Sequence, residues 1–76
     1  MGRPLWQIAS DVRKDWSKPY FGAVPYIQAM ATMDSMDDSF GLDLGREIVL
    51  YFLANAGTWR GDVARRVKAE LKGMLK

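Results

Sequence analysis

Prolines at positions 4, 19 and 25 cut the first third of the chain into short lengths, and apolar residues between them recur at helical spacing. Proline tolerates only the opening turn of a helix, and the residue before it avoids helical geometry. A first helix therefore starts at Pro4 and stops before Pro19, with Leu5, Ile8, Ala9, Val12 and Trp16 on one face. The stretch "SKPYFGAVP" is a connector, and Pro25 opens a second helix that carries Tyr26, Ile27, Met30, Met33 and Met36. The acidic "DSMDDSFGLD" breaks that pattern, with Gly41 as its pivot. Nothing alternates with period two for long enough to predict a strand.

The second half reads the same way. Asp43 is the expected N-cap of a third helix over 44–56, because its carboxylate can accept orphan backbone N–H groups. That helix is apolar nearly all round, so the pattern predicts the central, most buried element. Gly57 is placed to end it as a left-handed cap. Thr58 is placed to cap a fourth helix, with Asp62 in the first turn and Val63, Val67, Leu71 and Met74 as its inner stripe. The fold class expected is all-α: one compact single-domain bundle of about four short helices spanning 1–76.

At 76 residues such a bundle needs an efficient core, and a composition 49% apolar with three Trp, three Tyr, three Phe and five Met supplies one. The chain has no Cys and no His, which removes disulfides, Cys-based zinc sites and the usual neutral-pH base. The aspartates at 34, 37, 38 and 43 do not follow a calcium-loop pattern: Met36 and Ser39 stand where an acid or amide and a glycine belong. No nucleophile–base pair and no glycine-rich phosphate cradle is present. We therefore expect no enzyme activity, no metal and no cofactor. The longest apolar run, 48–54, is too short to span a bilayer, and the N-terminus lacks a signal-peptide core and a myristoylation signal, since Trp6 replaces the needed Ser or Thr. A cytoplasmic protein is the expectation.

The net charge of +2 is unevenly spread. Residues 29–57 carry one basic and five acidic side chains; residues 58–76 carry six and two. Arg65, Lys68, Lys72 and Lys76 form one ribbon on the fourth helix, flanked by Arg60 and Arg66. That ribbon is either a solvated face or a track for a phosphate backbone. The turn "NAGTWRG" is open to two readings as well. Trp59 is either the plug between the third and fourth helices or, beside Arg60, an exposed anchor for a partner. A helix-turn-helix alignment on Gly57 matches poorly, with Leu53 and Arg66 out of place. The methionines and the aromatics Tyr20, Phe21 and Tyr26 are either core or an adaptable contact surface.

The segments "DW…YFGAVPYIQAM" and "IVLYFLANAGTWRGDVARRVKAELK" resemble a family of small hypothetical proteins encoded by actinobacteriophages and related prophages. The resemblance spans nearly the whole chain and implies a protein made in a bacterial cytoplasm, without implying a mechanism. The residues and the resemblance together lead us to expect a non-enzymatic interaction protein. Its partner would be a host or phage protein or its own copy, contacted through Tyr20, Phe21, Tyr26, Trp59 and Arg60. The alternative is a nucleic-acid-binding protein that uses Arg60, Arg65, Arg66, Lys68, Lys72 and Lys76. No membrane partner is expected.

Overall fold

The computed structural model describes residues 3–75, with Phe40 described by its backbone alone. Four helices follow in order: α1 (Leu5–Asp15), α2 (Val24–Met30), α3 (Gly45–Ala54) and α4 (Asp62–Met74). Between α2 and α3 lies an antiparallel ribbon of two-residue strands, β1 (Ser39–Phe40) and β2 (Asp43–Leu44), with Ser39 opposite Leu44. The ribbon turns at Gly41, the expected pivot, but its strands are too short to leave a period-two signal. The domain is all-α in class.

The first helix follows its sequence pattern closely. Leu5, Ile8, Ala9 and Val12 are buried along one face, and Trp16 continues that face as the C-cap residue. Its first N–H groups are taken by the chain that follows α2, through Leu5 N to Asp34 O and Trp6 N to Met33 O. The second helix is shorter than its methionine spacing suggests and ends at Met30. Met30, Met33 and Met36 are nevertheless all buried, so the methionine stripe belongs to the core. The aspartates that interrupt it shape the turn: the Asp38 carboxylate accepts the Asp34 and Ser35 N–H groups, and Asp34 accepts the Trp6 indole N–H.

The third helix differs most from expectation. It is not the central element. It packs chiefly on α2, while α1 contacts both α2 and α4. Gly45, Ile48, Val49 and Phe52 face inward; Leu44, Leu50, Tyr51 and Ala54 face solvent. Its N-cap is Leu44 rather than Asp43, which pairs in the ribbon. Glu47 supplies half of a capping box by accepting the Leu44 N–H at 3.0 Å. Gly45 permits this docking, because a Cβ there would meet Ser35 O at 2.5 Å.

The turn between α3 and α4 is also built differently. Gly57 does not adopt a left-handed conformation; α3 ends at Asn55, whose side-chain amide donates to Tyr51 O. Thr58 does not cap α4. The cap is Gly61, at φ 114 and ψ −177, a conformation that only glycine adopts at little cost. The long connector between Ala54 and Asp62 excludes a helix-turn-helix, which joins its helices by three or four residues.

Candidate interaction surface

Trp59 is core. It is 2% exposed and lies parallel to Trp16, with ring centroids 5.7 Å apart, while Phe52 packs edge-on to both rings. Asp15 accepts the Trp59 indole N–H at 2.8 Å, so the one polar atom of the ring is satisfied. Lys68 Nζ donates to Trp59 O at 2.6 Å and sits 5.9 Å over the ring, a cation–π arrangement. Two distinctive sequence pieces, Asp15–Trp16 and Thr58–Trp59, are therefore one structural lock joining α1, α3 and the start of α4. Trp59 leaves the set of candidate contact residues for a physical reason: two aromatic rings and a carboxylate already occupy it.

The other candidates separate into two places. Tyr20 is half-exposed and Phe21 is 80% exposed, with their rings 4.8 Å apart. Tyr20 shares the lining of a shallow depression with Ala54, Asn55, Gly57 and Thr58, so the connector borders the α3–α4 turn. Tyr26 is half-buried and tilts against Tyr51 at 5.4 Å. Through these contacts the connector joins the outer face of α3. The resulting surface runs from Phe21 and Tyr20 across Ala54, Leu50 and Tyr51 toward Leu44.

Sequence reasoning missed the α3 part of this surface. The run "IVLYFLA" has no polar face, and such a pattern predicts the central, most buried helix without marking a side that faces water. The available signal was the length of the chain: a 76-residue domain has too little interior to enclose a ten-residue helix completely. A helix apolar all round in so small a domain must expose part of that apolar surface.

The cationic candidates are less continuous than their spacing suggested. Arg60, Arg65 and Lys68 line a shallow depression of about 290 Å³ at the start of α4. Burial, with the charges of Lys72 and Arg60 adding to it, lowers the Lys68 pKa from its ordinary value. Arg66 instead lines a depression with Asp11, Lys14 and Asp15 of α1, so it faces carboxylates as well as a cation. Lys72 is exposed, and Lys76 lies outside the described residues. Among the described residues of this set, Arg60, Arg65 and Lys72 are exposed to solvent and not set among carboxylates of α1.

On the opposite side of the cationic helix a second network ties the chain ends together. Arg3 donates to both oxygens of Glu70, at 3.0 and 2.8 Å, and to Asp11 at 2.6 Å. The Arg3 hydrogen bonds hold the Glu70 carboxyl below its usual range. Among the described residues no group of three acidic side chains is arranged to hold a metal ion, and no helix is long and apolar enough to cross a membrane. No protein-family model matches the chain, and no curated protein or solved structure is similar to it.

Proposed function

We propose that this chain is a non-enzymatic interaction protein that binds another protein through the apolar face of α3 and the adjoining 20–26 connector. One observation carries the reading: of the seven large apolar side chains left in water among the described residues, Leu50, Tyr51, Leu44, Tyr20 and Phe21 belong to α3 or to the segments that border it. Taking about 200 Å² for a fully exposed large side chain, they present on the order of 500 Å² of apolar surface. That is near the upper end for the largest patch on a monomeric protein, and such patches mark contact sites. On the resemblance to phage-encoded proteins, the encounter would take place in a bacterial cytoplasm. Affinity would be insensitive to salt because the contact is apolar. Capture of a binding protein from bacterial extract is expected to be lost in Leu50→Lys and kept in Arg65→Glu. Capture that survives Leu50→Lys, Phe21→Asp and their combination would overturn the reading.

A second reading rests on the depression shared by Arg60, Arg65 and Lys68. Binding of nucleic acid there would release counterions, giving a log–log salt slope of about −2 to −3 for three neutralised phosphates. The double variant Arg60→Glu, Arg65→Glu would abolish it. Absence of a duplex or single-strand shift at low salt would remove this alternative.

A further inference from the structure

We infer that the occupant of the α3 face is a second copy of the same chain, packed about a two-fold axis that passes between Leu50 and Tyr51. This rests on the reading that the face is a contact surface and names its partner.

Area is the first argument. An apolar patch on the order of 500 Å², at the roughly 65% apolar fraction of homodimer interfaces, corresponds to about 800 Å² per partner once its polar rim is included. That is one side of a standard interface. The spacing is the second. Leu50 and Tyr51 lie four and three residues before Ala54, so the three share the exposed side of α3 as one apolar strip, the spacing by which two helix faces meet. Ala54 is small enough to let the facing helix approach.

Charge is the third argument, and it also fixes the orientation. Within α3 itself the ionised residues are Arg46 and Glu47, one of each sign, so the helix brings no net charge against a copy of itself. Both are already engaged within the chain: Arg46 donates to Leu75 O at 2.9 Å and Glu47 accepts the Leu44 N–H. A parallel pairing would set Glu47 against its own copy. An antiparallel pairing sets Glu47 opposite Ala54 and separates the two carboxylates to opposite ends. The cationic face of α4, by contrast, would repel its own image.

The chain lacks cysteine, so single-cysteine variants report on this geometry without background. Sedimentation of the wild type from about 1 μM to about 1 mM covers tight to marginal association. The expected result is a mass rising to twice 8.6 kDa. Leu50→Lys, with an unchanged helical circular dichroism spectrum, should weaken the dimer by at least about 30-fold, as for an interface hot spot. Leu50→Cys should form an intermolecular disulfide on mild oxidation, while Ala69→Cys on the far side of α4 should not. A monomer across the whole range, or a dimer that cross-links through position 69 and not position 50, would overturn the inference. A monomer that still captures another protein, with capture lost in Leu50→Lys, would leave the contact surface standing and remove only the second copy.

Discussion

At the scale of single residues, Trp59 and Gly61 decide how the chain passes from α3 to α4. Trp59 must swing between Trp16 and Phe52, and that path keeps the backbone irregular until Gly61 redirects it into the helix. Trp59→Ala should therefore cost about 3–5 kcal/mol, measured by urea denaturation, because the cavity left between the two rings cannot close. Asp15→Ala should cost only about 1 kcal/mol for the lost indole hydrogen bond. The two glycines of the turn should respond with opposite signs. Gly61→Ala forces an alanine to φ 114 and should destabilise by about 1–3 kcal/mol. Gly57→Ala meets no neighbour within 4 Å at a position without positive φ, and should stabilise by about 0.5 kcal/mol. Thermal melts that rank these two variants the other way would place the cap back at Gly57.

At the scale of elements, the helical periods were legible and the environments were less so. The buried face of α1 could be read directly because Leu5, Ile8, Ala9, Val12 and Trp16 form a stripe that is polar on its other side. For α3 the spacing gave a helix without saying which side faces water, since a continuous apolar run has no marked face. The cap of α4 was misplaced because Thr58 is a good N-cap locally, and the competing demand, insertion of Trp59 against Trp16, is a contact across 43 positions. The basic ribbon was legible as a spacing, but not the diversion of Lys68 to Trp59 O or of Arg66 toward Asp11 and Asp15. Nor was the Arg3–Glu70 pair, which clamps the start of the chain to α4. Because Glu70 has a lowered pKa in the folded state, its contribution is present above the unfolded carboxylate pKa of about 4.3 and fades as pH falls through the folded value. Both partners keep some solvent exposure, so the contribution is about 1 kcal/mol. Glu70→Gln should be less stable than the wild type by that amount at pH 7. The gap should close in acid, and a gap that persists at pH 2 would show that the side chain acts by packing and not by charge.

At the scale of the whole molecule, the polarity of the surface is divided. The aromatic lock consumes the most distinctive residues of the sequence and leaves them no freedom to contact a partner. Large apolar side chains remain in water on α3 and the connector, and also at Trp6 of α1 and Leu42 of the ribbon, with cations gathered at the start of α4. The central claim is that binding uses the first of these surfaces. The most direct measurement replaces one residue at a time with a photoreactive benzoylphenylalanine, at Phe21 and Leu50 on the apolar surface and at Arg65 on the cationic one. Irradiation is expected to yield protein adducts from positions 21 and 50, with a second copy of the chain or another protein, and none from position 65. Adducts from position 65 alone, or to nucleic acid in place of protein, would contradict it.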